Sequence, residues 1–383
     1  MRNAPCSSIL TRIKVMSDRI RIREVIQHLE SIAPLSYQES YDNSGLIIGD
    51  YEQPVRGVLV TLDCTEAVVD EAFASGCNLI IAHHPIVFKG LKRLTGANYV
   101  ERTVMKALKM DVSIYAIHTN LDNVHTGVNR KICELVGLKN LRVLQPRRDT
   151  LSKLVTFVPP DNGDDVLAAL YAAGAGRVGN YSDCTFTSRG TGSFTPNDHS
   201  NPTVGSAGAK EWVDELRVEL IFPSHLQDQV ISALRRAHPY EEVAYYITVL
   251  SNENQDVGAG MVGDLTIPVE PMAFLSGLKD SLGVQVIRAT QILEKPVTRV
   301  AVCGGSGSFL LKKAVQSGAQ VFISADFKYH DFFDADGRII IADIGHYESE
   351  AHTKELLVDV LMKKFPTFAI NFSKTVTNPI SYI

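Results

Sequence analysis

The chain has 383 residues, 45% hydrophobic and 21% charged, with a formal net charge of -5, the composition of a soluble globular protein long enough for roughly two or three domains. The negative balance removes the electrostatic case for gripping nucleic acid or an anionic membrane, and no apolar run approaches the roughly 20 residues of a membrane-spanning helix. Six cysteines without a CxxC pair argue against a disulfide framework and a thiolate metal site, and for a reducing, cytoplasmic compartment.

The first fifteen residues, MRNAPCSSILTRIKV, carry Arg2, Arg12 and Lys14 and no acid. Lacking the apolar centre of a secretory signal, they read as a tail, residues 1–16, ahead of a start at Met16; a weak transit-like segment is the other reading. RIREVIQHLESIAP then predicts an amphipathic helix stopped before Pro34. GVLVTLD (57–63) reads as a strand, TEAVVDEAFASG (65–76) as a helix, and NLIIAHH (78–84) as a strand. VERTVMKALKM (100–110) follows as a helix and VSIYAIHTN (112–120) as a strand. This βαβαβ order predicts an α/β domain with a mainly parallel sheet covered by helices.

Between 151 and 250 the rhythm changes to strand, helix, strand, then a Gly/Ser/Thr/Asn/Pro-rich loop at about 189–209, then strand, helix, strand. That βαβ–βαβ set has the size and order of a ferredoxin-like α+β module. The polar stretch SNENQDVGAG (251–260) reads as a linker. Afterwards α/β order returns with RVAVCGG (299–305), the helix FLLKKAVQSG, the strands AQVFISAD and RIIIADIG, and a last helix over about 347–364. The simplest organisation is a tail (1–16), the first half of an α/β domain (17–150), an inserted domain (151–252) and the second half (253–383); three domains in series is the alternative.

Ligands of α/β sheets gather beyond the carboxyl ends of the strands. His83 and His84 lie at one such end, between two apolar runs that have little use for them. Asp122 lies just beyond the next strand, and the last strand delivers His346 with Glu350 four residues later. On a helix that spacing stacks imidazole and carboxylate on one face. Any one of these histidines alone reads more readily as a core or cap residue than as a ligand, but three strand ends share the same ligand chemistry. Nitrogen and carboxylate donors suit Zn, with Fe, Mn or Ni as alternatives. Because adjacent side chains leave an extended backbone in opposite directions, His83 and His84 suit two neighbouring ions, bridged by Asp122 or Glu350, better than one.

The segments IIAHHPIVF, AIHTNLD, GGSGS, SADFKYHD and DIGHYESE resemble, in order, the motifs of the NIF-three-like family, whose members are often named GTP cyclohydrolase 1 type 2 homologues. HPYEEVAYYI (238–247) and the preceding AAGAGRVGNYSDCTF are similar to the PII/CutA-like domain found inside the longer members. The resemblance covers about residues 17–383. It implies an interrupted NIF-three-like α/β domain with a PII/CutA-like insert, and two divalent metal ions per subunit held by His83, His84, Asp122, His346 and Glu350. It further implies a ring-shaped homohexamer whose inserts meet in trimers. Glu39 and His330 match family positions near the centre, as groups that orient a ligand or transfer a proton.

Other residues carry paired readings. Asp42 and Asn43 read as turn formers, and His118 as a hydrogen-bonded strand-end residue. Lys328 and the loop after strand 299–305 offer an anion seat, or a solvated strand end and tight packing. His238, Tyr240, Glu241 and Glu242 read as caps and contacts of the insert rather than a second metal site. The leading function is metal-dependent hydrolysis of a small-molecule nucleotide, opening a purine imidazole ring at C8. A phosphoester hydrolase with the same centre and a non-catalytic metal-binding or regulatory ring are the alternatives.

Overall fold

The structure, a computed structural model, describes residues 20–383; the expected tail, 1–16, lies outside them. Two compact units make up the chain, one of residues up to Gln145 together with Gln255–Ile383, the other Pro146–Asn254.

Helix α1 (Ile22–Ile32) buries Ile22, Val25, Ile26 and Leu29 at three- and four-residue spacing. Strands β1 (Gly45–Ile48) and β2 (Val58–Thr61) follow. Helix α2 (Glu66–Ala74) starts where the Thr65 hydroxyl accepts the Val68 amide. After β3 (Leu79–Ala82), helix α3 (Tyr99–Lys109) begins where Asn98 Oδ1 accepts the Glu101 amide at 3.0 Å. Strand β4 (Ser113–Ala116) is shorter than expected. Beyond it the Asp42 carboxylate accepts the Thr119 amide at 3.0 Å, and Asn120 Oδ1 accepts that of His118 at 3.0 Å. These side chains take donors a ladder would have used, and the chain turns into the short helix α4 (Thr119–Asp122). Helix α5 (Val128–Leu135) and strand β5 (Lys139–Arg147) complete the first half.

The second unit runs β6 (Leu151–Val158), α6 (Gly163–Ala172), β7 (Phe186–Phe194), β8 (Glu211–Pro223), α7 (Gln227–Ala237) and β9 (Tyr245–Leu250). Its antiparallel sheet has the order β7-β8-β6-β9, the arrangement of a ferredoxin-like module. Val218, Leu220 and Phe222 alternate inward along β8 onto Val166, Leu170, Val230 and Leu234 of the helices. The polar loop expected from 189 starts later: β7 continues to Phe194, paired opposite Glu211. As an edge strand with a mostly exposed surface it needs no apolar pattern. His238 Nε2 donates to the Phe157 carbonyl (2.8 Å) while its Nδ1 accepts the Tyr240 amide (3.1 Å), a structural use of both nitrogens.

The chain then returns with β10 (Asn254–Val269), α8 (Pro271–Leu282), β11 (Arg288–Ala289), β12 (Val297–Ser306), α9 (Leu311–Gln316), β13 (Val321–Ala325), β14 (Ile340–Asp343), α10 (His346–Glu350), α11 (Thr353–Lys364) and β15 (Ile370–Phe372). The expected linker 251–260 is corrected here, because from Asn254 onward it is strand β10, antiparallel to β12. Val257 and Met261 face one core at even spacing; the polar and glycine residues around them conceal the period. The last expected helix is divided into α10 and α11.

Mainly parallel α/β pairing holds, spread over two sheets. One has the order β1-β4-β3-β2-β15, parallel except for β1 against β4. The other has the order β11-β14-β13-β12-β10-β5, with β12, β13 and β14 parallel. Val60, Ile81 and Tyr115 of the first share one core with Val302, Ile323 and Ala342 of the second and with α1, α5, α8 and α11. The alternate residues Leu59, Ile80 and Ile114 pack under α2 and α3, which is why these strands are apolar throughout. Ile81→Ala, at a fully buried position, should cost about 2–5 kcal/mol in urea denaturation; a loss below roughly 1 kcal/mol would contradict this packing.

Candidate metal centre

Within the first unit, the carboxyl ends of β2, β3, β12 and β14 surround a cavity of about 510 Å³. Beyond β3 the chain bends at His83 and His84, where the His83 amide donates to the Thr61 carbonyl (3.1 Å) and the His84 amide to that of Leu62 (2.9 Å). An extended backbone would send the two side chains in opposite directions; the bend instead brings their rings together, with centres 5.0 Å apart, His83 fully buried and His84 lining the cavity.

His83 Nδ1 lies 2.8 Å from the Ile117 carbonyl. A carbonyl only accepts, so Nδ1 carries the proton and Nε2 of the neutral ring holds a lone pair. That buried Nε2 has no hydrogen-bond partner, nor has buried Oδ1 of Asp122, and the two atoms stand 3.6 Å apart. Glu350 Oε1 is 3.8 Å from the same nitrogen. Neither distance is a hydrogen bond. Two ligand atoms about 2.1 Å from one tetrahedral ion are roughly 3.4 Å apart, so the spacing suits a shared cation.

The neighbouring imidazoles repeat the device. His84 Nδ1 meets Asp63 Oδ1 at 2.8 Å, and its Nε2 lies 2.9 Å from Glu350 Oε2. His346 Nδ1 meets Asp326 Oδ2 at 2.6 Å, with Nε2 3.2 Å from Glu350 Oε2 and 3.4 Å from His84 Nε2. His118 Nδ1 is 2.7 Å from Asp42 Oδ1, and its ring centre lies 5.4 Å from that of His83 and 5.3 Å from that of His84. Helix α10 presents His346 and Glu350 on one face, as their spacing predicts. Glycine at 305 makes room for the carboxylate: its φ is +61°, and a Cβ there would stand 2.4 Å from Glu350 Oε1.

Electrostatics follow from this packing. Burial pushes the pKa of His83 down. Burial acts the same way on His84, but Asp63 and Glu350 overcome it and raise its pKa to about 10. Against burial, Glu350 and Asp326 raise that of His346 to about 9. Burial alone would raise Glu350, yet the three imidazoles hold it well below the usual carboxylate range. Burial and the charge of Glu350 push Asp122 up. One ligand atom from each of His83, His84 and Glu350 lies within 4.8 Å of the others, a group able to hold a metal ion. Nitrogen and carboxylate donors, with two orphaned buried atoms among them, fit a divalent cation.

Asp122 faces this group, and His346 contacts Glu350 and His84. Glu39 lines the cavity, where its Oε1 accepts from Asn123 Nδ2 at 2.9 Å. His330 lies elsewhere, on an exposed turn with its ring 5.2 Å from that of Tyr329, and does not line the cavity. Lys328 is also exposed and outside the lining. The Gly304 and Gly305 amides are already given to Asn129 Oδ1 and Ser349 Oγ, each at 2.9 Å, so the protein's own side chains take these two donors of the expected anion seat. Sequence reasoning missed Asp63 and Asp326 and read Asp42 only as a turn former. The available signal was their position, two of them closing strand patterns. Asp326 carries a further structural mark in its left-handed φ of 59°.

A family model described as Duf34/NIF3 (NGG1p interacting factor 3) matches residues 20–379. A GTP cyclohydrolase 1 type 2 homolog of Halalkalibacterium halodurans is 40% identical over 365 residues, 94% of this chain and 98% of that protein. One from Bacillus subtilis is 38% identical over 374 residues, 96% and 100%. Among solved structures, a Bacillus cereus protein related to NIF3 superposes with a TM-score of 0.85 at 38% identity, covering 96% of this chain and 100% of that one.

In metal-free protein the His84 ring should stay protonated at neutral pH. Its folded-state pKa lies above the ordinary histidine value, so the stabilisation it contributes is complete below about 6.5 and is lost as pH rises through about 10. NMR titration of this ring checks the point; a midpoint at or below about 6.5 would contradict it.

Proposed function

The chain belongs to the Duf34/NIF3 family, and from the nitrogen and carboxylate atoms converging in its cavity we propose a metal-dependent hydrolase with a two-ion centre. The observation that carries this reading is the facing pair of buried, unsatisfied atoms, His83 Nε2 and Asp122 Oδ1. His83 and Asp122 would hold one ion and His84 and His346 the other, with Glu350, near all three imidazoles, available to both. Zinc suits these donors first, with Fe, Mn or Ni as alternatives. When bound, paired divalent ions supply an activated water and stabilise developing negative charge. Asp63 and Asp326 orient the imidazoles by accepting at Nδ1. Glu39, on the cavity wall, is the proton-transfer residue; His330, outside the lining, has no step in this reading.

The substrate is a nucleotide attacked at a ring carbon, the reaction the relatives' printed name points to. Phosphoester hydrolysis loses support because the Gly304 and Gly305 amides are occupied and Lys328 does not line the cavity. The protein acts as a cytoplasmic homohexamer with trimer contacts through the second unit, whose Phe186, Trp212, Tyr246 and Val249 are exposed. Among the described residues five cysteines are free, and no helix is long and apolar enough to cross a membrane.

Metal content per chain, measured on protein purified without chelator or affinity nickel, should approach two ions. It should fall in His83→Ala and Glu350→Ala while circular dichroism stays native. Full retention in both variants would remove the site. With the metal loaded, formate release from GTP supports ring opening and phosphate release supports the phosphoester reading. Absence of turnover with every metal tried leaves a metal-binding assembly. Loading should also release protons, since His84 and His346 carry them in the free site; calorimetry in buffers of different ionisation enthalpy reads that release.

A further inference from the structure

We propose that the cavity above the metal ligands receives an uncharged planar heterocycle, a base or nucleoside, stacked on aromatic side chains, and provides no seat for a polyphosphate. The proposal rests on the two-ion hydrolase reading and narrows its substrate class.

Tyr41, Phe88 and Phe309 line the cavity and are 64%, 45% and 64% exposed. Aromatic surface left in water beside a ligand group is the usual mark of a stacking platform. The Tyr41 and Phe88 ring centres are 6.3 Å apart at 40°, and Phe88 lies edge-on to His118 at 6.3 Å. The aromatic surface is thus continuous with the histidine cluster. A flat ring resting on it reaches the ligand atoms with its edge.

Charge separates the candidates. The described residues lining the cavity include Glu39, Asp63, Asp122 and Glu350, and no lysine or arginine. Two divalent ions bring four positive charges, which these four carboxylates cancel, so the loaded cavity has no net positive charge for a triphosphate. Phosphate recognition draws on arginine or lysine, or on free amides at a helix start. Here the amides of Gly304 and Gly305 are already bonded. A nucleotide can therefore place its ring in the cavity only with its phosphates outside, where they add nothing to binding.

The test is titration calorimetry of the intact, metal-loaded protein with guanosine, adenosine and GTP at physiological salt, after metal content has been measured on the same sample. A nucleoside should bind at least as tightly as GTP, and Tyr41→Ala and Phe88→Ala should each weaken it about 5- to 100-fold without changing metal content. GTP binding tenfold or more tighter than either nucleoside, with steep salt dependence, would overturn the proposal. So would failure of both nucleosides to bind, or binding indifferent to both substitutions. Protein that takes up no metal instead refutes the two-ion reading on which the proposal rests, so the two failures are told apart.

Discussion

Each imidazole of the cluster has its Nδ1 fixed by an oxygen, and the site depends on that constraint. The partner is the Ile117 carbonyl for His83, Asp63 for His84, Asp42 for His118 and Asp326 for His346. An oxygen that holds Nδ1 sets the ring's tautomer and its rotation together. For His83, His84 and His346 the result is an Nε2 near the buried carboxylate of Glu350. Without these partners, neighbouring histidines would turn toward water or toward different carboxylates. A loose cluster of that kind could not keep a lone pair buried opposite Asp122 at 3.6 Å.

The fold supplies the oxygens cheaply because they arise where strands end. Asp63 and Asp326 each follow a parallel strand, and Ile117 follows another. The strands are buried on both faces, so their ends cannot drift without disturbing packed cores. Rigidity there is used to hold an arrangement costly by itself, with the buried Glu350 carboxylate beside fully buried His83 and a left-handed Asp326 holding His346. In the metal-free protein protonated His84 and His346 lie against the carboxylates of Glu350, Asp63 and Asp326 and offset their charge locally. A cation entering the proposed centre exchanges for those protons, which ties its affinity to pH.

Much of this was legible in the sequence for identifiable reasons. Two adjacent histidines between apolar runs are an anomaly at any strand end, and His346 with Glu350 reads as one helical face. The α/β class followed from alternating elements, and the ferredoxin-like module from their order. What escaped were relations between residues distant in the chain. Asp42 accepts the Asn43 amide at 2.7 Å, as a turn former does, while it also holds His118, 76 residues away. Local pattern announces the first bond and says nothing of the second. Likewise βαβ rhythm predicts parallel neighbours without saying where one sheet stops and another begins. Strand β10 hid because its ladder partners, rather than its own composition, make it a strand.

Asp63 shows how far the constraint reaches. One of its oxygens holds His84; the other accepts the Thr377 hydroxyl at 2.8 Å. Its pKa, which burial would raise, is drawn down by these partners. The segment carrying Thr377 is itself tied to α2, where Glu71 accepts the Ser373 hydroxyl at 2.5 Å, the Lys374 amide at 2.7 Å and the Thr375 hydroxyl at 2.7 Å. Farther on, Asn378 Nδ2 and the Tyr382 hydroxyl both donate to Glu348 Oε1 at 3.0 Å, between His346 and Glu350 of α10. Asn378, Pro379 and Ile380 form part of the cavity wall. One short segment, 377–382, therefore shapes the cavity and steadies both the carboxylate behind His84 and the helix bearing His346 and Glu350. A change in that segment reaches the imidazoles through two hydrogen-bonded routes, so wall and imidazoles behave as one unit rather than as a site with a separate cover.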